Sequence, residues 1–109
     1  MDRYQKFWES KQAAVKLDIA LEEFFREGVP QAHRDAYGQY LRQRIRPAVE
    51  QLIRREDLEK LECFHQQGWL PPVDDFLKLA AREQKNAAFV WLLRIKREQY
   101  GFTEESFSL

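Results

Sequence analysis

The chain has 109 residues with 18 basic and 18 acidic side chains, so its formal net charge is zero and no global field draws it to nucleic acid or to an anionic membrane. Hydrophobic residues make up 44% and charged residues 33%, a composition that excludes a disordered chain and fits a single soluble domain, 1–109, rich in amphipathic helix. A lone cysteine, Cys63, excludes an intramolecular disulfide; with no signal-like N-terminus and no apolar run near the roughly 18 residues of a membrane span, a cytoplasmic protein is expected.

From Asp2 to Glu27 the positions Phe7, Ser10, Ala14, Leu17, Leu21 and Phe24 follow helical spacing in steps of three and four, with Trp8, Val15, Ala20 and Phe25 widening the stripe. One long amphipathic helix is predicted, with Ser10 the place for a bend and Gly28 and Pro30 as its stop. A second helix, from about Gln31 to Arg46, carries Ala36, Tyr37, Tyr40, Leu41 and Ile45, and Pro47 should kink or end it. Ala48, Val49, Leu52 and Ile53 then begin a new turn that runs to a polar corner at Arg54-Arg55-Glu56-Asp57.

The next helix spans Asp57 to Gln67, with Leu58, Leu61, Phe64 and Cys63 as its inner face and Gly68 beyond its end. Trp69-Leu70-Pro71-Pro72 is strong punctuation, its prolines suiting the first turn of a helix whose stripe is Val73, Phe76, Leu77, Ala80 and Ala81. Asp74 and Asp75 oppose the positive end of that helix's dipole. After a corner at Gln84-Lys85-Asn86 comes Ala87 to Ile95, interrupted only by Arg94 and apolar nearly all round. Such a segment is expected to be a central helix covered on several sides. Gly101 is its predicted stop, and 103–109 reads as a tail whose Phe107 and Leu109 could dock back.

Setting the segment from Leu52 against the one from Ala81, an offset of 29, places Asp57 over Asn86, Leu58 over Ala87, Leu61 over Val90 and Phe64 over Leu93. A helix, a polar corner and an antiparallel helix repeated at about 30 residues is the pattern of a helical array. Asp75-Phe76-Leu77-Lys78-Leu79-Ala80-Ala81, a corner, then Phe89-Val90-Trp91-Leu92-Leu93 resembles the ankyrin repeat, and Leu52 to Gly68 resembles a degenerate copy. Asp75 and Phe76 stand where that family has Thr-Pro, Lys78 where it has His, and Trp69-Leu70-Pro71-Pro72 replaces its long finger. The resemblance implies an all-α fold of about six helices. Two stacked antiparallel hairpins would occupy 48–102, and the helices of 1–47 would cap them. It further implies binding of another protein, without catalysis or cofactor, and transfers no binding residue.

The most uneven charge lies at Arg42, Arg44, Arg46, Arg54 and Arg55, against the single acid Glu50. These arginines could contact a partner or grip phosphates, with Tyr37 or Tyr40 stacking on a base, as an alternative nucleic-acid module would require. Glu56, Asp57 and Glu59 follow at once and would neutralise part of the patch. Cys63 and His65 diverge by about 200° on a helix and His33 is far away, so neither a metal site nor a Cys-His nucleophile is expected. The adjacent acids Glu22-Glu23, Asp74-Asp75 and Glu104-Glu105 are expected to be exposed, and the four scattered glycines form no phosphate loop. Aromatic residues reach 14%. Tyr4, Phe7, Trp8, Tyr100, Phe102 and Phe107, near the chain ends, suggest an apolar patch suited to weak homodimerisation.

Overall fold

A computed structural model describes residues 2–99, and all regular structure in that range is helical. The seven helices are α1 (Arg3–Glu9), α2 (Ala13–Glu23), α3 (Gln31–Gln43), α4 (Ile45–Arg55), α5 (Leu58–Gln66), α6 (Asp74–Arg82) and α7 (Asn86–Gln99). The chain divides into two compact units, Met1–Ala48 and Val49–Leu109.

In the first unit the predicted long helix is two helices. Asp2 caps α1 by accepting from the Gln5 N–H at 2.8 Å. Ser10 then takes an extended conformation, φ −70° and ψ 138°, and its Oγ accepts from the Gln12 N–H at 3.2 Å. A hydroxyl that offers the backbone a local partner competes with the helical ladder, which is why the break falls at this residue. α2 also stops at Glu23, short of the predicted Glu27, and Gly28 follows in the left-handed region at φ 86°. α1 packs on α2 and α2 on α3, burying Phe7, Ile19, Ala20, Leu21, Tyr37 and Leu41.

Pro47 neither kinks nor ends a helix. α3 closes before it, at Arg44 with φ −121° and ψ 38°, and Pro47 occupies the first turn of α4. The amide that proline lacks would have no intrahelical partner in that turn, so nothing is lost. Pro71 and Pro72, predicted for a first turn, instead lie in the connection ahead of α6, which Val73 caps.

In the second unit three corners share one construction. Glu56, Gly68 and Gln84 have φ of 51°, 77° and 58°. Their amides donate back to Ile53, His65 and Ala81, and the next amides, of Asp57, Trp69 and Lys85, donate to Leu52, Phe64 and Ala80. This paired closure satisfies carbonyls that a helix end would otherwise leave open. The corners at Glu56 and Gln84 set the offset between the two hairpins at 28 rather than 29. Ala48, Val49 and Leu52 then match Phe76, Leu77 and Ala80, all buried.

Helix α6 packs on α7. Its inner face is Phe76, Leu77, Leu79 and Ala80, and Ala81, predicted inside, is exposed. The expectation that α7 is covered all round does not hold. Ala88, Trp91, Leu92 and Ile95 are buried, but Val90 is 65% and Leu93 42% exposed. The buried residues of α7 lie on one face, and the opposite face is exposed, with Val90 and Leu93 set among Asn86, Arg94 and Arg97. The predicted stop at Gly101, together with the tail of 103–109, lies outside the described residues.

One-sided burial makes a direct prediction for neighbouring positions of α7. Leu92→Ala should destabilise the chain by about 2–5 kcal/mol through lost transfer and a cavity, while Val90→Ala should stay within about 0.5 kcal/mol of the parent. Urea unfolding followed by circular dichroism measures both. Equal losses at the two positions would contradict the open face.

Candidate functional site

The five arginines singled out by sequence are all exposed. Arg42, Arg44 and Arg46 belong to the first unit and Arg54 and Arg55 to the second. Arg44, at the end of α3, lies with its guanidinium 5.6 Å from the Tyr40 ring centroid. Arg54 Nε is 3.2 Å from a Glu83 carboxylate oxygen, so a carboxylate from the α6 end sits within the predicted basic stretch.

His33, on the first turn of α3, stacks face to face on Tyr4 with ring centroids 3.6 Å apart and planes within 4°. This pair lines a cleft of about 280 Å³ with Arg3, Glu23, Arg26 and Tyr37. Glu23 corrects the expectation of an exposed acid pair, for it is only 8% exposed. Arg26 donates to it at 3.0 Å and Arg3 Nε stands 3.9 Å away, while Arg3 also hydrogen-bonds Glu22. Burial, reinforced by the charge of Glu23, pushes the Tyr37 phenol above its ordinary value, so it stays protonated. The cleft is built from two closed ion pairs and a neutral phenol.

Beside it lies a second aromatic group that sequence spacing did not reveal. Phe7 and Trp8 of α1 meet edge to face at 5.3 Å, and Tyr40 of α3 meets Phe7 the same way at 5.2 Å. Lys16 of α2 extends over all three, its Nζ 5.0 Å from the Phe7 centroid, 5.4 Å from Tyr40 and 5.7 Å from Trp8. Of the aromatics near the chain ends, Phe7 is therefore buried, covered by Lys16, rather than part of an exposed apolar patch. Trp8 is 56% exposed, and Tyr100, Phe102 and Phe107 lie outside the described residues.

The second unit carries a polar network between α5 and α7. The Trp91 indole N–H donates to Glu62 at 3.0 Å, and Arg94 donates to Glu62 at 2.8 Å and to Glu98 at 2.7 Å. His65 Nε2 is 3.0 Å from Glu98, while Cys63 is a partly buried free thiol. The indole hydrogen bond, with Arg94 adding to it, holds the Glu62 carboxyl below the usual range, against the opposing effect of burial. Glu56 performs a related task one corner away. Its carboxylate accepts from the Ala87 and Ala88 amides at 3.0 and 3.2 Å and so caps the N-terminus of α7.

Around this network the open face of α7 sets Val90 and Leu93 one turn apart, with exposed Arg97 one turn further on. Such a face can seat apolar side chains of another protein. Among the described residues no cluster of three or more His, Cys, Asp or Glu could hold a metal ion, and no helix is long and apolar enough to cross a membrane. Searches against protein-family models, curated proteins and solved structures return no match to this chain.

The lowered Glu62 carboxyl makes stability depend on pH in a defined direction. Its folded value lies below its unfolded one, so the stabilisation is present above the unfolded value and is lost as pH falls through the folded value. The urea midpoints of the parent and Glu62→Gln, measured from about pH 7 to about pH 3, should therefore differ most at neutral pH and converge in acid. A gap that stays constant with pH would show that the Glu62 charge is not involved.

Proposed function

We propose that this chain is a protein–protein interaction module that binds another protein through a surface of its C-terminal helices and performs no catalysis itself. The observation that supports this most directly is the exposed aliphatic pair on α7, Val90 at 65% and Leu93 at 42% exposure. Soluble domains seldom leave two adjacent large aliphatic side chains of an otherwise core-forming helix in water, and such positions are what partner anchors fill. The face is narrow, so Val90 and Leu93 would act as a central pair inside a wider polar rim rather than as a whole interface. The rim includes Arg97 and the Glu62–Arg94–Glu98 network, whose fixed geometry adds register to the apolar contact. An ankyrin-like descent of the two hairpins and a cytoplasmic setting belong to the same proposal.

The test is capture by the tagged chain, with and without nuclease, compared between the parent and a Val90→Glu/Leu93→Glu variant. Retention of a protein that survives nuclease and is lost from the variant, with helical content unchanged, is the expected result. Retention that disappears with nuclease and persists in the variant would transfer the function to the arginines of 42–55. A parent and variant that retain the same protein equally would remove α7 as the binding face.

A further inference from the structure

The arrangement of Phe7, Trp8 and Tyr40 around Lys16 is independent of α7 and lies in the other unit. We propose that these three rings form an aromatic cage for an organic quaternary ammonium group, and that Lys16 is an internal occupant which such a cation displaces.

Three features of the cage carry this. The first is geometry. Phe7 stands edge to face with Trp8 and with Tyr40, at interplanar angles of 76° and 87°, so the rings form walls and a floor rather than a flat stack. The Lys16 Nζ is within 6 Å of all three centroids, the distance at which a cation is attracted by the ring quadrupole. One point in space is thus shown to be favourable for a positive charge with respect to three rings at once.

The second feature is the state of the occupant. Among the described residues the Lys16 ammonium has no carboxylate or hydrogen-bond partner, and the ring faces are its contacts. A primary ammonium carries three N–H donors, and aromatic faces are poor substitutes for the water they lose. A quaternary ammonium has no donor to leave unsatisfied and spreads its charge over methyl groups that bury favourably against aromatic carbon. The cage is chemically better matched to the methylated cation than to the lysine that fills it.

The third is access. Phe7 is 1% exposed beneath the Lys16 side chain, whereas Trp8 is 56% exposed. The cage therefore has a shielded floor and one wall facing water, and Lys16, half-buried on the surface of α2, can swing outward without unpacking a core residue. As a tethered competitor it acts at a high effective concentration, so the parent chain should bind quaternary ammonium weakly and a chain without the lysine should bind more tightly.

The experiment titrates the full chain with tetramethylammonium chloride, with a short peptide bearing trimethyl-lysine, and with sodium chloride at matched ionic strength. The Trp8 indole resonance is the readout, assigned from a Trp8→Phe spectrum. In the parent, tetramethylammonium should move the Trp8 indole and Lys16 ε-methylene resonances together. Lys16→Ala should tighten binding by about tenfold or more, with Lys16→Gln as a second variant that removes the charge but keeps most of the side chain. Tyr40→Ala added to either, which leaves the Trp8 indole as the readout, should weaken binding by about tenfold or more. Tighter binding of the peptide than of tetramethylammonium would assign the cation to a modified protein tail, and equal binding to a free small cation; both sustain the cage. Resonance changes that sodium reproduces, or a folded Lys16 variant that binds no better than a parent whose Lys16 signals never move, would overturn it.

Discussion

Every α-helix leaves about four amide N–H groups at its start and four carbonyls at its end without intrahelical partners. Among the described residues there are seven helices, none longer than 14 residues, and closing their ends is the constraint on which the rest depends. The second unit meets it with three corners of one kind, in which a left-handed residue turns the chain and two amides close back on the preceding helix. Two of those residues, Glu56 and Gln84, are not glycine, and a left-handed conformation costs a side chain about 1–2 kcal/mol. At Glu56 the side chain offsets that cost, since its carboxylate caps α7. The corner of the first hairpin thereby fixes the start of the last helix of the second.

From this constraint follows the distribution of apolar surface. With the start of α7 tied to Glu56 and its inner side packed on α6, the Trp91 indole is directed at Glu62, and Arg94 closes over the same carboxylate. Polar bonds, not further apolar packing, complete that flank. Apolar density in sequence therefore does not translate into a helix enclosed on all sides, and Val90 and Leu93 are what remains.

Helix type and approximate extent were legible in the sequence because the 3.6-residue periodicity is strong from Gln31 onward, and glycine and proline mark most of the stops. The all-helical class follows from that alone. Breaks governed by single polar atoms were less visible: Ser10 reads as a bend within one helix, whereas its hydroxyl divides α1 from α2 outright, and Pro47 reads as a breaker until it is placed in a first turn. The arginines of 42–55 stand out by composition, yet Arg54 meets Glu83, 29 positions away, and no local pattern announces that pairing. Glu23 is similar, since its burial depends on Arg3 and Arg26 reaching it from opposite directions in sequence. The Lys16 cage joins three helices and has no periodic signature at all.

The shortness of these helices has a consequence for how the protein comes apart. Nucleating a helix is unfavourable, and segments below about 12–15 residues are marginal in water on their own. α1, at seven residues, and α5 and α6, at nine each, cannot persist as free helices once their neighbours leave. Deep amides of each unit should accordingly exchange with solvent only through openings that dissolve several helices together, and any cation or partner that steadies one of them lengthens the protection of all the helices in its unit.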